Sequence, residues 1–200
     1  KLALSCDPVS AFGGIVSCNF KINKKLAIEL NKNFLEVIIG NEIEKDALKI
    51  LRKRKNLRII DASNLKLQSL QNFVSNFNSI LLQSSDTKPF IAKNFKVVSK
   101  NKPNKKTLNN LIFAFNVCRF VKSNAIVLVK NDTTVGIGSG QPSRLDSCEI
   151  AIKKMNQFQN VKNNSEIIAA SDAFFPFTDG IEALVQAGAT AVIQPSGSIK

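Results

Sequence analysis

The sequence has 200 residues, of which 44% are apolar and 22% are charged. A chain of this length and balance can bury a core of its own, which excludes a disordered or a fibrous protein. The longest apolar run near the middle, residues 125–129, has the length of a strand, well short of the roughly 20 residues that span a membrane. No secretory signal is visible and no Met begins the chain, so we expect a cytoplasmic piece of a longer protein.

The net charge of +13 first suggests a nucleic-acid-binding module. Only five of the 28 basic residues are Arg, however, and no aromatic residue interleaves with the densest basic run, residues 52–55. That run falls at the end of a predicted helix, where cations complement the helix dipole. The composition therefore favours a solvated basic surface, and nucleic-acid binding remains the alternative.

The chain has four cysteines and no histidine. The cysteines are Cys6, Cys18, Cys118 and Cys148, and they form no C-x-x-C pair. These counts exclude zinc sites of the usual spacing and predict free, buried thiols. Any reaction that uses an imidazole must take it from outside these residues.

Short β-rich runs alternate with helical periods, which predicts an α/β domain with a layered sheet. In the first half, the predicted strands are 14–20, 37–39, 57–60 and 79–83, and the predicted helices are 24–31 and one that Asn41 caps. Residues 61–77 are polar and fit neither pattern. Residues 100–105 are polar and contain a proline, which predicts a linker.

The second half shows the strongest helical period of the chain, from Leu108 to about Lys122. After it we predict a hairpin of residues 124–130 and 133–138, a helix that contains Leu145–Met155, a strand at 167–170, a helix at 181–187 and a strand at 191–194. Gly188 is expected to end the last helix.

Four segments rich in Gly, Ser, Asp and Phe interrupt this pattern. In DPVSAFGG (7–14), paired glycines allow a close approach to a ligand or a tight turn. In GIGSGQPSRLD (136–146), free amides at a helix start and the Arg144 guanidinium can hold an anion, although a flexible turn explains the glycines equally simply.

The third segment, SDAFFPFTDG (171–180), places three Phe between two carboxylates. An aromatic wall with a carboxylate suits a flat nitrogen heterocycle, whereas the plainer interpretation is core packing with Asp179 as a helix cap. The fourth, QPSGSI (194–199), ends a predicted strand in small residues that suit backbone contacts.

In this order and at these spacings, the segments resemble the bifunctional family of 5-aminoimidazole-4-carboxamide ribonucleotide (AICAR) formyltransferase / IMP cyclohydrolase. The matching strings are DPVSAFGG, FLEVIIG, VKSNAIV, GIGSGQPSRLD, SDAFFPFTDG and AVIQPSGSI, and the weakest match is residues 41–110. The resemblance implies two cytidine-deaminase-like three-layer α/β/α units in tandem, without zinc. Residues 1–87 would be the remainder of the first unit and residues 88–200 the second. The H-x-E and P-C-x-x-C signatures of zinc deaminases are absent from the sequence.

The resemblance also implies an activity. The 5-amino group of AICAR would attack the formyl carbon of 10-formyltetrahydrofolate, the co-substrate, in de novo purine (IMP) biosynthesis. The cyclohydrolase activity, a hydrolase reaction, would belong to a separate amino-terminal domain of the same multifunctional enzyme, outside this chain. The family implies a homodimer with neither nucleic acid nor membrane as partner, and it allows a monovalent cation near the Ser123–Asn124 loop.

Carried over position by position, the resemblance assigns two sets of binding residues. The AICAR set is Gly13, Glu36, Asn124, Arg144 and Phe174, and the folate set is Leu145, Asp179, Ser198 and Ile199. Glu36 stands where some relatives have Asp, and Thr178 stands where Arg is common. The family's catalytic Lys-His pair would lie upstream, so no catalytic residue is expected in this chain, and a non-catalytic ligand-binding or dimerisation module of the same family remains an alternative.

The site loops also predict an assembly. Phe174, Phe175 and Phe177 are expected to be largely covered in the complete protein, in part by a second subunit or by segments outside this chain. In the chain alone, at least one of the three should therefore be more exposed than a core Phe.

Overall fold

The computed structural model describes residues 1–66, 71–88, 90–159 and 166–198. The chain divides into two compact units: the amino-terminal unit is Val9–Lys88, and the carboxy-terminal unit is Pro89–Lys200 together with Lys1–Pro8. Both combine helices and strands, which confirms the α/β class. Within the described ranges, the helices are too short or too polar to cross a membrane.

The amino-terminal unit is built on a parallel three-stranded sheet with the order β1-β2-β3. Its elements are β1 (Gly14–Ile22), α2 (Lys24–Leu30), β2 (Leu35–Ile43), α3 (Lys45–Leu51) and β3 (Arg58–Asp61), and α1 (Leu2–Ser5) precedes them in the other unit. Apolar residues of the sheet and both helices form one core, in which Ile22, Ile38 and Leu51 are fully buried. The side chain of Asn23 begins α2 by accepting a hydrogen bond from the Leu26 amide at 2.9 Å.

The prediction that Asn41 caps the next helix is wrong. Asn41 lies inside β2, because that strand continues until Ile43 pairs with Ile22 at the end of β1. Glu44 occupies the N-cap position of α3, and its carboxylate accepts a hydrogen bond from the Lys24 amide at 3.2 Å. The parallel pairing, which is a long-range contact, decides where this helix begins.

A two-stranded antiparallel hairpin completes the amino-terminal unit. It consists of β4 (Gln71–Asn76) and β5 (Ser79–Ser84), so part of the stretch that fitted neither pattern is a strand. Every residue of both strands is exposed, and Phe77 in the turn adopts φ +44°. Residues 67–85 include no charged residue, whereas Lys66 and Asp86 on either side of this stretch are charged.

The carboxy-terminal unit is built on a four-stranded sheet with the order β7-β6-β8-β9, in which only the β8–β9 pair is parallel. Its elements are a 3-10 turn (Ala92–Asn94), α4 (Lys105–Cys118), β6 (Ile126–Lys130), β7 (Thr133–Gly138), α5 (Arg144–Phe158), β8 (Ile167–Ser171), α6 (Asp179–Gln186) and β9 (Ala189–Ile193). Alternate residues of β6 face opposite sides: Ile126 and Leu128 pack with α5 and α6, while Val127 and Val129 pack with α4. Helices therefore cover both faces of this sheet.

Most element predictions in this half are confirmed, with shifted boundaries. The hairpin turns at Asn131 and Asp132, which both have positive φ, as a two-residue turn between antiparallel strands requires. The linker ends at Asn104, whose side chain accepts from the Thr107 amide and starts α4 earlier than predicted. Gly188 follows α6 with φ +96°, as expected for a residue that ends a helix.

The glycines before α5 let a strand and a helix approach closely. A Cβ on Gly138 would lie 1.8 Å from the Ser147 carbonyl oxygen, and one on Gly136 would lie 2.2 Å from that of Ala151. Both glycines belong to β7, and both carbonyls belong to α5. The structure therefore assigns these two glycines to strand–helix packing, which is neither the anion-holding loop nor the flexible turn considered from the sequence.

All four cysteines are free, as predicted. Cys6, Cys118 and Cys148 are buried, whereas Cys18 is only half-buried, so the expectation of buried thiols fails at that position. Burial raises the pKa of the Cys118 and Cys148 thiols to about 12. Across the described ranges, we find no group of three or more His, Cys, Asp or Glu residues that could hold a metal ion.

The three Phe of residues 174–177 differ in exposure. Phe175 is 2% exposed and belongs to the core of the carboxy-terminal unit, whereas Phe174 is 41% exposed and Phe177 is 58% exposed. The prediction that at least one of them is more exposed than a core Phe is confirmed.

Candidate functional site

Polar side chains meet where β6 begins, β8 ends and α5 starts, on the carboxy-terminal unit. We call Ser123, Asn124, Arg144, Ser171 and Asp172 the Arg144 cluster. Ser123 and Asn124 precede β6, Ser171 is the last residue of β8, and Arg144 is the first residue of α5. Antiparallel pairing of Ile126 with Ser171 brings the start of one strand beside the end of the other, so the two loops share one edge of the sheet.

Three neighbours fix the Arg144 guanidinium. Nη1 donates to Ser171 Oγ at 2.8 Å and to Asp172 Oδ1 at 2.5 Å, and Nη2 donates to Asn124 Oδ1 at 2.5 Å. The Arg144 side chain is 12% exposed and that of Asp172 is 17% exposed, so this ion pair is largely withdrawn from water. A guanidinium has five N–H groups, and no described residue accepts from Nε or from the second hydrogen of Nη2. Arg144 is therefore held in one orientation, with two N–H groups that the described residues do not use.

Asp172 links the three chain segments of the cluster. Its carboxylate accepts from Arg144, from the Ala125 amide at 3.0 Å and from the Ser123 hydroxyl, and its own amide donates to the Ala125 carbonyl at 3.2 Å. Burial by itself would raise the pKa of Asp172. The hydrogen bonds from Ser123, Arg144 and Ala125, together with the Arg144 charge, outweigh burial and lower that pKa.

Asn124 is engaged on both ends of its amide. Nδ2 donates to the carbonyls of Gln141 and Pro142 at 2.9 and 2.8 Å, and Oδ1 accepts from Arg144. The Asn124 carbonyl accepts from the buried Ser147 hydroxyl at 2.8 Å. Both donors of the side chain are thus used within the protein, and its contact with a ligand is limited to the second lone pair of Oδ1.

A second group of candidates lies where the loop after β8 meets the loop after β9. Phe174 packs on Gly197, since a Cβ on that glycine would lie 2.5 Å from the ring carbon Cδ1 of Phe174. Ser198 donates to the Phe175 carbonyl at 2.8 Å and accepts from Gln194 Nε2 at 2.8 Å. Ile199, the remaining folate candidate in this segment, lies outside the described residues.

Leu145 and Asp179 occupy the first turns of two helices. Leu145 is half-buried at the start of α5, directly after Arg144. Asp179 is exposed as the first residue of α6, where its Oδ1 accepts from the Gly180 amide at 2.7 Å. The exposed carboxylate of Asp179 therefore lies at the start of a helix, where it can accept hydrogen bonds.

Gly13 and Glu36 belong to the amino-terminal unit, and they are neighbours there. Gly13 has φ +69°, its amide donates to the Phe34 carbonyl at 3.1 Å, and a Cβ on it would lie 3.4 Å from Glu36 Oε1. The carboxylate of Glu36 lies 3.8 Å from Arg58 in an exposed ion pair. The other described candidates all belong to the carboxy-terminal unit.

Sequence reasoning missed several residues that hold the candidates in place: Ser123, Gln141, Ser147, Ser171 and Gln194. The sequence signal that points to them is their position at strand ends beside the motifs, since polar side chains there must satisfy the backbone groups that leave the sheet.

The low pKa of Asp172 predicts how stability depends on pH. Above the pKa of an unfolded Asp, near 4, Asp172 is charged in both states and its favourable contacts contribute fully. As the pH falls below about 4, the unfolded state takes up the proton first and this contribution is lost. We expect Asp172→Asn to reduce the fall in melting temperature between pH 6 and about pH 3. Thermal melts across that range measure it, with Glu149→Gln on exposed α5 surface as the control; equal acid slopes for wild type and Asp172→Asn would contradict the prediction.

Comparison with known proteins identifies the family of this chain. The sequence model of the AICARFT/IMPCHase bienzyme matches residues 1–154. The chain belongs to this family. The matched range includes Gly13, Glu36, Asn124 and Arg144, and membership confirms the resemblance noted in the motifs.

Curated relatives match the whole chain or nearly all of it. Proteins named bifunctional purine biosynthesis protein PurH are similar to it: that of Rhodospirillum rubrum is 43% identical over 213 residues, which cover 100% of this chain and 39% of the relative. Those of Parvibaculum lavamentivorans and Brucella anthropi are each 44% identical over 205 residues, covering 99% of this chain and 38% of the relative. The chain thus spans about two fifths of the length of these relatives. As its name states, the bienzyme family is multifunctional, joining a transferase of purine biosynthesis with a cyclohydrolase, a hydrolase.

Proposed function

We propose that this chain supplies binding walls of an AICAR formyltransferase site within a longer, bifunctional protein of purine biosynthesis. Family membership supports this reaction class, and the Arg144 cluster is the observation that carries the proposal. A guanidinium that the protein has already oriented, with two N–H groups to spare, can bind an anionic or carbonyl-bearing substrate without first being ordered.

In this proposal AICAR contacts Gly13, Glu36, Asn124, Arg144 and Phe174. Phe174 stacks on the imidazole ring with the face that its partial exposure leaves open. Arg144 donates its two remaining N–H groups, and Asn124 accepts through the second lone pair of Oδ1. The carboxylate of Glu36 accepts from substrate N–H or O–H groups. Gly13, whose positive φ favours glycine, has no side chain to keep a ligand from its backbone.

The folate co-substrate would contact Leu145, Asp179, Ser198 and Ile199. Asp179 is the specific partner among them, because an exposed carboxylate can accept from the amino-pyrimidinone edge of a pterin. Leu145 offers apolar surface next to Arg144, which would place the two substrates on adjacent residues of one helix start.

The chemical step forms one bond and breaks another. The 5-amino nitrogen of AICAR attacks the formyl carbon, and the bond from that carbon to the folate nitrogen breaks with its electron pair on that nitrogen. The amine loses one proton and the leaving folate nitrogen gains one, so the products are formylated AICAR and tetrahydrofolate. Since the chain contains no His, the Lys-His pair implied by the family would move that proton from outside these residues. The residues of this chain bind the two substrates and orient them for the reaction.

The family further suggests two deaminase-like three-layer units and a monovalent cation. The sheet of the carboxy-terminal unit, which has helices on both faces, supports the layered architecture. Oxygen ligands suit a monovalent cation, and the Asp172 carboxylate and the Ser123 hydroxyl supply two beside the Ser123–Asn124 loop. We place the protein in the cytoplasm, in keeping with its free thiols.

We also propose that the protein works as a homodimer and that the β4–β5 hairpin contributes to the interface. An isolated two-stranded hairpin is marginally stable in water. Phe73, Ile80 and Leu82 lie on one face of this hairpin and are each more than half exposed. A surface free of charge is also where two copies of a chain with net charge +13 can meet without repulsion.

This assembly is testable with Ile80→Asp in the full-length protein. Each subunit would then bury a carboxylate in the interface, which should raise the dissociation constant of the dimer about 30-fold or more. Mass measurement across micromolar concentrations follows the dissociation, with Val98→Asp, at a position 88% exposed outside the hairpin, as the control. A dimer unchanged by Ile80→Asp would remove the hairpin from the interface.

Formyl transfer by the full-length protein tests the proposed function. Mixed with AICAR and 10-formyltetrahydrofolate, it should release tetrahydrofolate in an amount equal to the sum of formylated AICAR and the IMP that the cyclohydrolase makes from it. Residues 1–200 alone should show no turnover because they lack an imidazole. Binding of AICAR without turnover by the full-length protein would instead support a non-catalytic ligand-binding module, and turnover by residues 1–200 alone would place the catalytic base within this chain.

A further inference from the structure

The main chain of Phe175 is held on both sides by two side chains from the loop after β9. Gln194 Oε1 accepts from the Phe175 amide at 2.8 Å. Gln194 Nε2 donates to Ser198 Oγ at 2.8 Å, and that hydroxyl donates to the Phe175 carbonyl at 2.8 Å. One amide and one hydroxyl therefore satisfy both polar groups of the same residue, and we call this arrangement the Gln194 clamp.

The clamp ties together a buried ring and an exposed one. The Phe175 ring is 2% exposed in the core, close to Cys148 and Leu184 of the same cluster, so its position along the loop is fixed. The next ring, Phe174, is 41% exposed and rests on Gly197, three residues after Gln194. Two loops hold the Phe174 ring: the loop after β8, which contains Phe174, and the loop after β9, which contains Gly197. The hydrogen bonds of Gln194 join these two loops.

Gly197 shows how closely the two loops approach. Its φ is +141°, and a Cβ there would lie 2.5 Å from one carbon of the Phe174 ring. The ring therefore has a backbone surface against one side of it, while 41% of Phe174 stays exposed. Such a surface holds an aromatic ring in one plane, as stacking on a ligand requires.

We propose that Gln194 is a positioning residue for substrate recognition: through the clamp it sets the plane of the Phe174 ring that stacks on a flat heterocycle. The proposal rests on the proposed function, because it assigns a role to Phe174 in AICAR binding. Gln194 itself touches no substrate. Gln194 acts on Phe174 through the Phe175 backbone and through Gly197. It therefore influences binding of the substrate's heterocyclic ring and leaves binding of the ribose phosphate unchanged.

The substitution that isolates this effect is Gln194→Met in the full-length protein. Met keeps the length of the side chain and removes both the acceptor and the donor. We expect the dissociation constant of AICAR to rise about 3- to 10-fold, since an aromatic stack contributes that much beyond buried area. Affinity for ribose 5-phosphate, which has no ring to stack, should change less than 2-fold, roughly the level of an unaffected site. KM for AICAR should rise by the larger factor while kcat changes little.

Two further variants sharpen the result. Gln194→Glu keeps the acceptor for the Phe175 amide and loses the donor to Ser198, so it should restore part of the AICAR affinity. Gln186→Ala removes an exposed glutamine at the end of α6 and should bind AICAR as the wild type does. Equal AICAR affinity in Gln194→Met and wild type, or equal losses for AICAR and ribose 5-phosphate, would overturn the proposal. Failure of the wild type to bind AICAR would overturn the proposed function itself, which keeps the two outcomes distinct.

Discussion

Arg144→Ala should weaken AICAR binding by the full-length protein about 10- to 150-fold, the range expected for loss of a charge-assisted hydrogen bond. The guanidinium is already oriented by Asp172, Ser171 and Asn124, so the wild type orders no flexible side chain when it binds. Titration with AICAR measures the loss. Arg144→Lys should recover only a fraction, because an ammonium cannot reproduce the planar, forked contacts of a guanidinium.

The control for this prediction is Arg52→Ala, which removes an exposed arginine after α3 and lowers the net charge equally. If AICAR affinity depended on overall positive charge, both variants would weaken it alike. Unchanged affinity in Arg144→Ala would remove Arg144 from the site. The near-ultraviolet circular dichroism spectrum of Arg144→Ala checks that the variant is folded. It reports whether the core around Phe175 is kept when Asp172 loses its ion-pair partner.

Gly138→Ala should destabilise the carboxy-terminal unit by about 3 kcal/mol or more, the upper part of the range for overpacking a well-packed core. The added methyl would lie 1.8 Å from the carbonyl oxygen of Ser147 and 2.6 Å from its carbonyl carbon. These are backbone atoms of α5, so no side-chain rotation can relieve the clash. The helix would have to move away from β7, and the Arg144 cluster at its first turn would move with it. Denaturant unfolding of the 200-residue chain measures the loss.

Gly188→Ala is the matched control for that substitution. Gly188 has positive φ but nothing within 4 Å of the added Cβ, so its cost is backbone strain alone, about 1–2 kcal/mol. If Gly138→Ala costs no more than Gly188→Ala, then β7 and α5 do not pack as closely as the structure shows. The difference between the two variants therefore measures the clash itself.

Local signals predicted the carboxy-terminal unit well. The hairpin at Asn131 and Asp132, the helix from Arg144 and the stop at Gly188 all depend on residues near them in sequence, namely turn formers, a helical period and a residue that tolerates positive φ. Strands β6 and β8 of that sheet are buried, largely apolar runs, which is the pattern that sequence reasoning identifies most readily.

The errors arise where long-range contacts override local preference. Asn41 is a good helix cap by type, yet β2 runs past it because Ile43 pairs with Ile22. Gly136 and Gly138 look like a ligand loop, but what they accommodate is α5, which follows later in the chain. In the same way, motif residues such as Arg144 could be named from the sequence, whereas Gln194 could not, because its role depends on a hydrogen bond to Phe175, 19 residues away.

A crystal structure of the full-length protein with AICAR bound would show whether Phe174 and the Arg144 cluster bind this substrate. We predict the imidazole ring stacked on the Phe174 ring, with a hydrogen bond donated to the ligand by Arg144, one accepted from the ligand by Asn124 Oδ1, and the Asp172–Arg144 ion pair kept. AICAR bound with none of Phe174, Arg144 and Asn124 in contact with it would contradict the account.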